Sequence, residues 1–113
     1  MGKVYLGVRS RSADGSAVTV SVIEDGVPRS LPPRLDLRDH PAGGLEWGYG
    51  TDGPAQLALA VLADATGSDD YAVRHFHWFR LEIVSNLPWQ EWKLTEAQVR
   101  AWINEHHPLA DSD

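Results

Sequence analysis

A chain of 113 residues, 42% of them hydrophobic and 23% charged, has the composition of a single globular domain and is long enough to bury a core of its own. It contains no cysteine, which excludes disulfide frameworks, thiolate metal sites, iron–sulfur clusters and cysteine nucleophiles. The formal charge of −6 is unevenly spread: residues 1–38 carry six bases and four acids, residues 39–113 four bases and twelve acids. The bases stand singly, without the clustered stripe that nucleic-acid binding needs, so nucleic acid is not the expected partner.

The opening MGKVYLGVRSRS has no apolar stretch of signal-peptide length, and no later segment reaches the roughly 18–20 apolar residues of a membrane span. Gly2 lacks the downstream Ser or Thr of a myristoylation signal. A cytoplasmic protein without a membrane anchor is the expectation, and the lack of cysteine fits a reducing compartment.

Val4 to Val8 and Ala17 to Ile23 are rich in β-branched and apolar residues and flank the turn-prone Ser12-Ala13-Asp14-Gly15-Ser16, which predicts two paired strands. Val18, Val20 and Val22 alternate with Thr19, Ser21 and Ile23, giving one face of valines and one mixed face. Asp25-Gly26 is a two-residue hairpin signal, so Val27 to Leu31 should return beside the second strand, with Pro28 confining it to an edge. Residues 1–31 thus form a β-hairpin unit.

Residues 32–53 form one long connection, with prolines in its first half and glycines in its second. Trp47 and Tyr49 argue that it is ordered. Pro54 to Ala65 then reads as a helix with proline in its first turn and strong helix formers behind it. Apolar nearly all round, it should be the buried central helix. Ser68, Asp69 and Asp70 start a second helix, predicted from Asp69 to Asn86, with Ala72, Phe76, Phe79, Ile83 and Leu87 as its core stripe. Pro88 to Trp92 reads as an aromatic connection. Thr95 with Gln98 forms a capping box, and Leu94 can staple to Val99, opening a third helix that Pro108 stops before the acidic tail of residues 109–113. The fold expected is α+β: three N-terminal antiparallel strands packed on a buried central helix flanked by two amphipathic ones, as one domain with residues 54–108 helical.

The glycine-rich run into the first helix is where an anion or nucleotide could bind, because helix-start amides lack partners and glycines admit a ligand to the backbone. Its candidate ligand-binding residues are His40, Glu46, Trp47, Tyr49, Thr51 and Gln56, and His40 with Glu46 could act as acid and base. Yet Pro54 removes a donor, no lysine stands ready for a phosphate, and neither a P-loop nor a dinucleotide fingerprint is present. The alternative is that the glycines serve tight turns while Trp47 and Tyr49 plug the core. A true ligand site requires Gln56 to turn into a pocket rather than bond to backbone.

Residues Trp47 to Ala60 fit W-G-Y-G-x-x-G-P-A-Q-L-A-L-A at every defined position. With His40-Pro41, the aromatic second helix and the tryptophan-bearing tail, the chain from residue 36 onward resembles an uncharacterised domain-of-unknown-function family of small bacterial and phage proteins. The resemblance implies no activity, cofactor or catalytic residue. The occurrence of that family in phage and mobile-element genomes implies a role in contests between such elements and their hosts.

His75 and His77, two apart on a helix, point about 200° from one another and cannot grip one metal together; His106 and His107 fall in a last helical turn, where positive charge suits the dipole. No serine elbow, zinc-protease pair or calcium loop occurs, and no metal or cofactor is expected. Five tryptophans are many for this length. Trp78 lies off the core stripe, while Trp89 and Trp92 sit in a connection, so either they close the core or they form an exposed aromatic surface of the kind that anchors partners. Two functions therefore compete: a small-ligand site in the glycine-rich loop, and a non-enzymatic module binding a basic protein surface through Trp78, Trp89 and Trp92 with Asp69, Asp70 and Glu91 around them.

Overall fold

The computed structural model describes residues 2–12, 15–38 and 44–108. His40, the middle of the first turn and the acidic tail lie outside them. Three strands open the chain, β1 (Val4–Ser12), β2 (Gly15–Glu24) and β3 (Val27–Ser30), followed by α1 (Asp52–Thr66), α2 (Asp69–Glu82), a 3-10 turn (Val84–Asn86), β4 (Glu91–Thr95) and α3 (Glu96–His106). The fold is α+β, as the change of periodicity along the chain predicts.

The strands make one antiparallel sheet in the order β3-β2-β1-β4. Asp25 and Gly26 both take positive φ, 54° and 79°, the geometry that lets a two-residue turn follow the twist of the strands it joins. β3, with Pro28, lies at an edge. The other edge is β4, which the sequence reading does not include: the last two residues of the Pro88 to Trp92 connection, with Lys93 to Thr95 after them, pair with β1, Gly7 opposite Trp92 and Val4 opposite Thr95. Strand parity decides the faces. Tyr5, Val20, Val22 and Trp92 point into the core, whereas Val8, Thr19, Glu91 and Lys93 are exposed on the opposite side of the sheet.

α1 begins at Asp52, two residues earlier than the proline suggests, and from Leu57 to Leu62 it is wholly buried. It is the centre of the core. α2 ends at Glu82 rather than Asn86, because the chain tightens into the 3-10 turn that seats Val84 in the core. α3 starts with the reciprocal capping box of Thr95 and Gln98. Its far end is tied down by Tyr71 Oη donating to His107 O (2.6 Å) and Trp102 Nε1 donating to Glu82 Oε1 (2.8 Å).

The long connection is held rather than loose. Leu31 is buried in the core and its N–H donates to Val20 O. Arg34 grips Asp69 through two bonds of 2.9 Å. Trp47 is fully buried.

A polar staple fastens the last turns of α1 to the sheet. Asp64 accepts from Tyr5 Oη (2.8 Å), Arg29 Nη2 (2.9 Å) and Lys3 Nζ (3.3 Å). Burial pushes the Asp64 carboxyl up, but the bonds from Tyr5 and Arg29 and the charges of Lys3 and Arg29 outweigh it and leave the carboxyl below its usual range. Burial, and after it the bond to Asp64, raises the Tyr5 phenol. A carboxyl depressed in the folded state contributes stability above its unfolded value near pH 4, and that contribution is lost as pH falls through the folded value. Asp64→Asn should therefore cost about 1–3 kcal/mol at neutral pH and flatten the acid limb of stability below about pH 4, as read from urea midpoints across a pH series.

Candidate functional site

The segment matched by the tryptophan-glycine motif converges on one residue the sequence did not single out, Arg9. It shares strand parity with Tyr5 and Gly7, so it faces inward and only 6% of it is exposed. A buried guanidinium must find partners for its donors. Arg9 Nη2 and Nη1 donate to the two oxygens of Glu46 at 2.6 and 3.0 Å, and its Nε donates to Trp89 O at 3.1 Å. Its guanidinium carbon lies 3.7 Å from the ring centroid of Trp89 and 4.8 Å from that of Trp47. Trp47 Nε1 donates to the same Trp89 carbonyl (2.9 Å), and Gln90 Nε2 donates back to Arg9 O.

Close approaches make this assembly possible. A Cβ on Gly53 would lie 2.5 Å from Glu46 Cβ and 3.0 Å from the Tyr49 hydroxyl, so glycine is what lets Glu46 fold over the start of α1. A Cβ on Gly7 would lie 2.2 Å from Trp92 Nε1, so the indole crosses β1 only because that position has no side chain.

Of the candidate ligand-site residues, His40 lies outside the described residues and the others are placed as follows. Glu46 is committed to Arg9 and also accepts from Trp47 N–H (3.3 Å). Gln56 is buried, and its amide donates to Pro33 O (2.6 Å) and Arg38 O (3.0 Å), which is the backbone-bonded arrangement rather than one turned into a pocket. Thr51 stands at the N-cap of α1 without a side-chain capping bond. Tyr49 is partly exposed and lies beside Trp89, ring centroids 6.4 Å apart. Burial, with Glu46 close by, raises its phenol. Within the motif, Trp47 and Gln56 bond to the backbone of the segment before β4 and of the loop before α1.

The three tryptophans proposed as one surface part company. Trp92 is only 5% exposed and meets Trp47 edge to face at 5.6 Å, so it is a core residue, placed there by the strand pairing that carries its side chain over Gly7. Trp89 is 53% exposed and Trp78 45%. Among the described residues no ring contact joins those two; Trp78 instead stacks against His107 (6.0 Å, 26° between planes). Of the acidic residues, Asp69 is occupied by Arg34, which holds its carboxyl low. Asp70 is exposed and paired with Arg74 one turn on, and Glu91 is exposed on β4.

Around Trp78 lies a histidine cluster. His75 stacks on His107 at 4.8 Å and touches Tyr71 at 4.4 Å, while His106 stacks on Trp102 at 5.2 Å. His75 Nδ1 is buried without a hydrogen-bond partner among the described residues. Among the described residues no group of three or more His, Asp or Glu side chains is arranged to hold a metal.

A four-stranded antiparallel sheet and three helices, with the loop before α1 held by a buried Arg9 paired to a partly exposed Glu46 and with Trp78 and Trp89 exposed, make a small α+β domain. The chain matches the Family of unknown function (DUF6166) over residues 5–105, and it belongs to that family. No curated protein and no solved structure matches it.

Two measurements follow from this geometry. Trp92→Ala should cost ~3–5 kcal/mol by opening a core cavity, whereas Trp89→Ala, which leaves the carbonyl bonds in place, should cost about 1 kcal/mol; guanidinium melts would separate them. For His75, burial comes first, and the neighbouring His107 and Arg74 then add to the lowering of its imidazole pKa, against a smaller opposing effect of Asp70. The unfolded chain therefore takes up a proton near pH 6.5 before the folded one does, and stability should decline as pH falls through about 6.5. His75→Phe should flatten that decline.

Proposed function

We propose that this protein is a non-enzymatic module that binds another protein, with Trp89 and Trp78 as its anchors. The observation that carries this reading is Trp89, a large aromatic held in the open by buried structure. Its carbonyl accepts from both Arg9 and Trp47, and its ring lies on the Arg9 guanidinium. An exposed tryptophan fixed in this way loses little freedom when covered, and such residues supply most of the affinity in protein interfaces. Tyr49 extends the patch beside it. On α2, Trp78 and the exposed Leu81, three residues apart, offer a second apolar contact.

A partner with a basic surface fits the acidic helical half of the chain, where Asp70 and Glu91 are exposed and Asp69 belongs to the fold instead. Electrostatic matching would then set encounter rate while the tryptophans set residence time. The phage and mobile-element setting implied by the sequence resemblance makes a host macromolecule the fitting target.

The test is comparative capture from the native host. Wild-type protein should retain a partner that Trp89→Ala and Trp78→Ala lose through faster dissociation, while Asp70→Lys slows association and blunts its salt dependence. Identical capture by the wild type and both alanine variants would refute the assignment of these anchors.

A further inference from the structure

The two edges of the sheet are not equivalent. β3 carries Pro28, one of the devices by which edge strands resist pairing. β4, from Glu91 to Thr95, contains no proline and, among the described residues, has a neighbour on one side only.

Its register with β1 fixes which peptide groups are spare. Arg9 N–H donates to Gln90 O and Glu96 N–H donates to Lys3 O, both at 2.8 Å. Antiparallel ladders alternate, so positions 90, 92, 94 and 96 turn their peptide groups toward β1, and 91, 93 and 95 turn theirs to the open edge. Thr95 N–H is taken by Gln98 Oε1 (2.8 Å). What remains is the N–H and C=O of Glu91 and of Lys93, whose side chains both stand exposed on the open face of the sheet.

We propose that a second copy of this chain pairs with this edge, β4 against β4 about a two-fold axis through Trp92, to give a continuous eight-stranded sheet. In that register Glu91 of each copy lies opposite Lys93 of the other. The two pairs exchange four N–H···O bonds, and opposite charges meet twice on the same face. A register centred on Glu91 or on Lys93 sets like charges directly opposite one another, which is destabilising. The Lys93-centred register also opposes Glu91 to Thr95, whose N–H is already committed. The strand is self-complementary in one alignment only, as an isologous interface requires. On the open face Val8, 45% exposed, and Leu6 flank the charged pair on β1, so the joined sheet carries an apolar strip on each side of the seam.

The experiment is sedimentation velocity of the full chain from micromolar to near-millimolar concentration at physiological salt. Wild type should dimerise. Glu91→Lys and Lys93→Glu, at exposed positions, should each weaken the dimer at least about tenfold, since each sets two like-charge pairs across the seam. The double variant E91K/K93E should restore wild-type association. Circular dichroism would verify that each variant keeps its fold, and slowed exchange of the Glu91 and Lys93 amides on concentration would locate the seam. A wild type monomeric throughout, a dimer indifferent to the single reversals, or a double variant that stays monomeric would each overturn the proposal.

Discussion

The placement of Arg9 inside the domain governs much of the rest. A guanidinium cannot be left in the interior without partners, and the ones it finds come from two separate stretches: the carboxylate of Glu46 with the ring of Trp47, and the carbonyl and ring of Trp89. Satisfying one strand residue therefore fixes the loop before α1 and the approach to β4 together. Replacing such a pair with apolar residues can be neutral or better, whereas breaking it leaves a stranded charge. The pair is accordingly best understood as a locating device, specifying where the loop goes.

That account gives the tryptophan-glycine motif a structural meaning. Trp47 fills the core, Glu46 and Gly53 close over one another, and Gly48 N–H donates to Val84 O across the 3-10 turn. The adjoining alanines and leucines of α1 are buried on every side.

Much of this was legible from residue pattern alone. Alternating valines oriented β2, Asp25-Gly26 set the second hairpin, and Thr95 with Gln98 marked the start of α3, because each is a local preference acting over a few residues. β4 was not, since Glu91 to Thr95 is short and its strand character comes from lying beside β1. The length of α2 was overestimated for a related reason: the apolar stripe continues through Ile83 and Leu87, but the backbone tightens beneath it. Arg9 was missed although the signal existed, in its shared parity with Tyr5 and Gly7; a run of alternating Arg and Ser reads as solvated until one of the arginines meets its acid. Trp89 and Trp92 could not be told apart beforehand, because three residues of separation put one before the strand and the other within it.

The sheet order has a consequence for how the molecule is assembled. β1 is made first and stands between β2, its immediate successor, and β4, more than 80 residues later. A ribosome releasing this chain can complete the β1–β2–β3 meander early, with turns that close quickly. The outer flank of β1 then waits, its ladder groups open to water, until almost all the helical sequence has emerged. Such distant closure slows folding and leaves a templating edge exposed meanwhile. The vulnerable stage in the life of this protein is thus synthesis, during the interval before Trp92 is laid across Gly7.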